Sequence, residues 1–171
     1  DRWAAGESRV QRMAPGELEA AVGMPILATK LYPPALSPDH VSRQRLLDRM
    51  TERGEVPVTL VSAPAGYGKS SLLAEWMAAK RRPTVWLSLD RDDSDPGVFL
   101  AYLVTALEAM FPVECAQTRA LLRAPQMPPP RVIAGYLLND LSAIGASFDL
   151  VLDDYHRVAE NEVHDLLGEI F

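Results

Sequence analysis

Val58-Thr59-Leu60-Val61-Ser62-Ala63-Pro64-Ala65-Gly66-Tyr67-Gly68-Lys69-Ser70-Ser71 is the stretch that decides the reading of this chain. Its apolar first part has the composition of a β-strand. Its middle is a tight turn with two glycines, and Lys69, Ser70 and Ser71 open a segment with helical spacing. Strand, glycine turn and helix in that order form a cradle for the phosphates of ATP or GTP. A helix N-terminus offers unpaired N–H groups and the positive end of a dipole. Gly66 and Gly68, with no Cβ, let the backbone bend sharply and approach an anion closely.

The expected contacts follow from that geometry. The backbone of Ala65, Gly66, Tyr67 and Gly68 lines the phosphates, with Lys69 between the β- and γ-phosphates. Ser70 gives its hydroxyl to Mg²⁺, and Ser71 adds a contact to the α-phosphate. The pattern G-x-x-x-x-G-K-[ST] is incomplete, because Ala63 stands where its first glycine belongs. Alanine fits there only with an ordinary, negative φ. Pro64 shapes the loop without donating a hydrogen bond.

Such a loop needs a carboxylate for the metal. Leu150, Val151 and Leu152 form an apolar run followed by Asp153 and Asp154. That run reads as a strand buried on both faces. Ligand sites in open α/β sheets lie at the C-terminal ends of the strands. Asp153 is therefore assigned to Mg²⁺ through a coordinated water. Asp154 is the candidate for orienting or deprotonating an attacking water, so Asp154 and Lys69 are the catalytic candidates. The interval between Lys69 and Asp153 has room for two strand–helix units.

Composition sets bounds. The chain has 171 residues, 48% apolar and 23% charged, which suits one globular domain. A formal net charge of −6 argues against non-specific nucleic-acid binding by this segment. Cys115 is the only cysteine, so neither an internal disulfide nor a thiolate metal cluster is expected. Residues 1–23 are polar, without the apolar core of a signal peptide, and read as an extension or tail. No apolar run is long enough to span a bilayer, so no membrane partner is expected and a cytoplasmic location is.

The remaining pattern predicts further elements. A helix over Arg43–Arg53 has Ser42 as N-cap, Leu46, Leu47 and Met50 as its apolar face, and Gly54 at its end. A first strand covers Val56–Ser62. The helix from Lys69 runs to Arg82 with Leu72, Leu73, Trp76 and Met77 inside, and Pro83 stops it. A second strand covers Thr84–Leu89. Pro96 opens a helix carrying Phe99, Leu100, Leu103, Leu107 and Met110. A less regular helix covers Glu114–Arg123. Another covers Arg131–Ile144 with Ile133, Tyr136, Leu137, Leu141 and Ile144. Asn161 caps a last helix bearing Val163, Leu166, Leu167 and Ile170. Strands alternating with helices imply an α/β fold with a mainly parallel sheet between helical layers.

Together these blocks resemble the N-terminal ATPase module of the large ATP-dependent LuxR-type transcription activators, the MalT group of STAND P-loop NTPases. The resemblance is carried by Thr29-Lys30-Leu31-Tyr32-Pro33-Pro34, like the family's opening strand and proline turn, and Val41 to Leu47, like its first helix. It continues through Ser62 to Ser70, Trp86 to Asp90, Phe99 to Leu103 and Leu150 to His156. It covers roughly residues 27–171 as a three-layer P-loop NTPase domain, leaves 1–26 outside, and accounts for Ala63, since the first glycine is normally missing in that family. It implies ATP and Mg²⁺ as ligands and slow hydrolysis that resets a switch. It also implies self-association in the full protein. Arg43 falls in the region near the nucleotide base in relatives, and His156 follows the acidic pair. The family's sensor strand, inducer-binding repeats and DNA-binding helix-turn-helix are not within these residues. The resemblance therefore implies an incomplete sheet and a longer parent protein, and it argues against hydrolysis by this segment alone.

Two other classes remain open from the residues. A small P-loop kinase would need an arginine-bearing lid and an acceptor-binding carboxylate, and neither is evident. An interaction scaffold with a vestigial nucleotide site would keep the loop but not respond to ATP.

Overall fold

A computed structural model describes residues 26–52, 56–80 and 82–170. The elements, in chain order, are a 3-10 turn at Ala28–Leu31, helix α1 (Gln44–Glu52), α2 (Lys69–Ala79), strand β1 (Thr84–Ser88), and a 3-10 turn at Asp92–Ser94. Then come α3 (Pro96–Met110), α4 (Ala116–Leu122), α5 (Pro130–Ser142), β2 (Asp149–Asp153), a 3-10 turn at Tyr155–Arg157, and α6 (Asn161–Ile170). The expected tail at residues 1–23 and the Gly54 helix stop lie outside the described residues.

The core is built on α3. Asp95 caps it, accepting from the Val98 N–H at 2.9 Å, and Pro96 occupies its first turn, where no N–H is needed. Every residue from Phe99 to Glu108 is buried. A helix buried all round belongs at the centre of a fold rather than on its surface. It packs on β1 and against α4, α5 and α6. Phe99, Leu100, Leu103 and Leu107 are fully enclosed, each contributing about 1.5–3 kcal/mol by burial. Cys115 sits in the same core, and burial pushes its thiol up to about 12. The polar groups there are paired: Thr118 donates its N–H and hydroxyl to Asp140 at 2.9 and 2.6 Å, and Arg119 pairs with Glu108.

β1 and β2 pair in parallel, from Thr84 opposite Asp149 to Ser88 opposite Asp153. Side chains alternate across the sheet. Val85 and Leu87 with Leu150 and Leu152 meet the α3–α5–α6 core. Trp86 and Val151, on the opposite face, are also buried, at 2% and 7% exposure. The acids Asp149 and Asp153 share that second face by parity, one at each end of β2.

The structure corrects the expected sheet. Two strands form among the described residues, not three, because Val56–Ser62 adopts no strand. Among the described residues its backbone pairs with no other segment, and an unpaired strand gains no ladder hydrogen bonds. Val56, Val58 and Leu60 consequently stay exposed, Leu60 at 84%. Thr29–Leu31, expected to open as a strand, lies in a 3-10 turn. α2 ends at Ala79 rather than Arg82. Lys80 is already extended (ψ 137°), and Pro83 disfavours helix at the residue before it. Tyr136, expected inside, is 41% exposed on the outer side of α5.

Candidate functional site

The two glycines of the loop adopt the conformation that only glycine takes freely. Gly66 has φ 80° and Gly68 φ 71°. The Tyr67 N–H bonds to the Pro64 carbonyl at 3.4 Å and closes the turn. Ala63 keeps a negative φ, since Asp154 is the one non-glycine residue with positive φ among the described residues. α2 begins at Lys69. Its N-cap is Gly68, which has no side chain to cap with. The first intrahelical bond runs from Leu72 N–H to the Gly68 carbonyl at 3.0 Å. The amides of Lys69, Ser70 and Ser71 therefore have no acceptor inside the helix. The Lys69 ammonium folds back onto its own loop, donating to the carbonyls of Ala63 at 3.0 Å and Pro64 at 3.3 Å.

A second segment lies against this loop. Arg43, just ahead of α1, donates from Nη1 to the Tyr67 carbonyl at 2.6 Å. Its guanidinium fills the space beside Gly68, where an added Cβ would come within 2.8 Å of Nη2. Three residues earlier, His40 Nε2 meets Glu75 Oε2 on α2 at 2.9 Å. The Ser42 hydroxyl, the His40 ring and the Arg43 backbone N–H all favour the Glu75 charge and hold its carboxyl below the usual carboxylate range.

The acidic pair is split in character. Asp153, the last residue of β2, is buried at 8% exposure, and its Oδ1 accepts from the Asp154 N–H at 3.0 Å. It forms no ion pair among the described residues. Asp154 turns the chain at φ 55°, a left-handed conformation that aspartate tolerates better than most residues. Its carboxylate faces Arg157 Nε at 3.4 Å and His156 Nδ1 at 4.0 Å. Arg157 also donates its N–H to the Asp154 carbonyl at 2.9 Å.

The structure thus brings Arg43, Tyr67, Gly68 and Lys69 into one cluster, and Asp153 and Asp154 into another. Among the described residues no hydrogen bond or ion pair joins Lys69 or Ser70 to either aspartate. The far end of α2 is tied to the same strand, with Lys80 Nζ at 3.2 Å and Arg82 Nη1 at 3.5 Å from the Asp149 carboxylate.

The comparisons with known proteins address the chain as a whole. It is 33% identical over 142 residues to the HTH-type transcriptional regulator MalT of Serratia proteamaculans (strain 568). The MalT regulators of Yersinia enterocolitica and Yersinia pestis match over the same length at 32% and 31%. Over this stretch the chain is homologous to the MalT regulators. The matched residues are 83% of the chain but 16% of each MalT protein, so the chain spans about a sixth of the relatives' length. No protein-family model matches it.

Against that MalT relationship, some contacts had no legible signal in the sequence. Lys30, in the opening block of the resemblance, is buried. It bonds Asp93 at 2.5 Å and Asp90 at 3.2 Å, and it lies 4.1 Å from the centre of the Tyr102 ring. Sixty residues separate Lys30 from Asp90 in the chain, and no local spacing foretells the pairing. Glu75 reads as an ordinary helix-surface acid until the fold brings His40 to it. Arg157 had a weak signal, a cation three residues after Asp154.

Proposed function

We propose that this segment is the ATP-binding switch module of a MalT-type transcriptional regulator. The observation that carries the reading is the loop itself. Two glycines in left-handed conformation open onto a helix whose first amides have no acceptor, with Lys69 and Ser70 beside them. Free amides, a cation and a hydroxyl at a helix N-terminus suit a polyphosphate with its metal. The homology to regulators favours a switch over a metabolic kinase.

In this reading the amides from Ala65 to Ser71 hold the phosphate chain. Lys69 would exchange its bonds to the Ala63 and Pro64 carbonyls for phosphate oxygens. Ser70 and Asp153 would hold Mg²⁺. Among the described residues no three His, Cys, Asp or Glu converge as a metal cage. Mg²⁺ needs none, since it keeps several waters and takes one or two protein ligands beside nucleotide phosphates. A buried Asp153 without an ion pair among the described residues fits that part. Bound Mg²⁺·ATP would supply an activated γ-phosphoryl group and the charge that separates one conformational state from another. Asp154, fixed in direction by Arg157, orients an attacking water.

The ion pairs of Lys80 and Arg82 with Asp149 fasten the chain just after α2 to the start of β2. In this reading the N-terminus of α2 comes to the other end of that strand, at Asp153. The output is a shift in populations between regulator states. Self-association and DNA contact belong to the longer protein; the MalT relatives carry the helix-turn-helix in their name.

Calorimetric titration of Mg²⁺·ATP tests the reading. Wild-type chain binds, Lys69→Ala abolishes binding, and chelating the metal weakens it. Equal affinity in wild type and Lys69→Ala overturns the assignment.

A further inference from the structure

The contacts around α2 contain a device that neither the glycine motif nor the homology describes. Residues His40 to Arg43 cross from α2 to the loop and are held at both ends. At one end the His40 ring meets Glu75 at 2.9 Å. At the other, Arg43 donates to the Tyr67 carbonyl at 2.6 Å and packs its guanidinium beside Gly68. Glu75 lies in α2, and so moves with the N-terminus that Lys69 opens. Its side chain and that of His40 are largely enclosed, at 17% and 20% exposure, so the contact is not a freely solvated surface pair.

Arg43 has few other reasons to stay where it is. It is exposed, and the Tyr67 carbonyl is the acceptor that fixes its guanidinium. Long cationic side chains lose considerable rotamer freedom when held in one place. Anchoring the chain on both sides of Ser42 fixes where the Arg43 Cα sits, so that only its side-chain torsions remain to be ordered when the guanidinium is seated. Gly68 completes the arrangement, because any side chain there would displace the Nη2 end of Arg43.

We propose that Glu75 is a positioning residue: it anchors the segment His40–Arg43 as a strap across α2, so that Arg43 stays seated on the loop at Tyr67 and Gly68. The functional consequence, tighter nucleotide binding, rests on the reading of the loop as a phosphate cradle. The strap itself does not.

Two measurements on the full chain separate these claims. The first is amide hydrogen exchange, without nucleotide, of wild type, Glu75→Ala and Glu75→Gln. Glu75→Ala speeds exchange at the two amides here that have acceptors, Arg43 toward Glu75 and Tyr67 toward the Pro64 carbonyl, by roughly tenfold, the worth of one hydrogen bond to a charged group. Glu75→Gln keeps an acceptor and restores part of the protection, while protection in α3 is unchanged in both. Unchanged loop exchange in Glu75→Ala overturns the strap. The second is Mg²⁺·ATP titration of Arg43→Ala, Glu75→Ala and the double variant. Glu75 acting through Arg43 makes the double variant no weaker than Arg43→Ala alone. Additive losses overturn the positioning role. A wild-type chain that binds no ATP sinks the nucleotide reading, and the exchange result then decides the strap by itself.

Discussion

Leu103 in α3 and Leu60 ahead of the glycine loop are the same residue type with opposite fates, 0% and 84% exposed. The difference runs through the molecule. One region, α3 to α6 with the inner face of β1 and β2, holds its residues by close apolar packing. The other, Arg43 to Lys80, adds, among the described residues, only Leu47, Leu72 and Ala74 to the buried apolar set. It is fastened by polar contacts: Lys80 to Asp149, His40 to Glu75, and Arg43 to Tyr67. The packed region sets global stability. The polar-fastened region, with few buried apolar contacts, is expected to open locally at a lower cost than the packed one. The proposed site spans the seam, with Asp153 from the packed side and Lys69 from the other.

The largest expected effect breaks the packed side. Phe99 is fully enclosed in α3. Phe99→Ala should cost about 3–5 kcal/mol, from lost burial and the cavity left behind. Urea unfolding followed by far-UV circular dichroism reads it as a lowered midpoint. A loss below about 1 kcal/mol would mean that α3 is not the centre of the core.

This contrast also explains what the sequence disclosed. α3 was legible because Asp95, Pro96 and the apolar spacing from Phe99 to Met110 agree with one another and with the fold. The start of α2 at Lys69 was legible because Gly66 and Gly68 mark the turn. Val56–Ser62 misled for a physical reason: its composition states a preference for strand, but a strand exists only where another chain segment meets it. Composition is local, and pairing is not. The same holds for polar contacts of long range. Neither Lys30 with Asp93 nor His40 with Glu75 can be read from spacing along the chain. The acidic pair lay between these cases. Its strand was readable from Leu150 to Leu152, whereas the division of Asp153 into the interior and Asp154 toward Arg157 depends on the turn at φ 55°.

Lys30 offers a test within the packed region that depends on charge rather than volume. Its ammonium bonds Asp93, which is fully buried, and Asp90 beside it. Lys30→Met keeps most of the side-chain bulk but leaves the Asp93 charge without its cation. Removing one partner of a buried pair costs about 3 kcal/mol, less than the cavity at Phe99 at its upper end. Adding Asp93→Asn to Lys30→Met should recover part of that loss, because a neutral amide tolerates burial better than an unpaired carboxylate. Losses that simply add in the double variant would show that the two residues act separately, and that Lys30 is held by its stack on Tyr102 alone.

The smallest expected effect is the sharpest test of the comparison. Leu60→Ser and Val58→Ser replace apolar side chains that already face solvent, at 84% and 79% exposure. Each should change stability by less than about 0.5 kcal/mol in the same urea titration. The isolated chain then behaves as a packed half with an extended segment laid outside it. Either substitution costing about 2 kcal/mol would place that side chain against an apolar neighbour in solution. Val56–Ser62 would then have found a partner, and the two regions would be one core. Because both residues are two positions apart, they share a face of any strand that forms. A real pairing must therefore make them costly together, while Thr59 and Val61, on the other face, report whether the second side is covered as well.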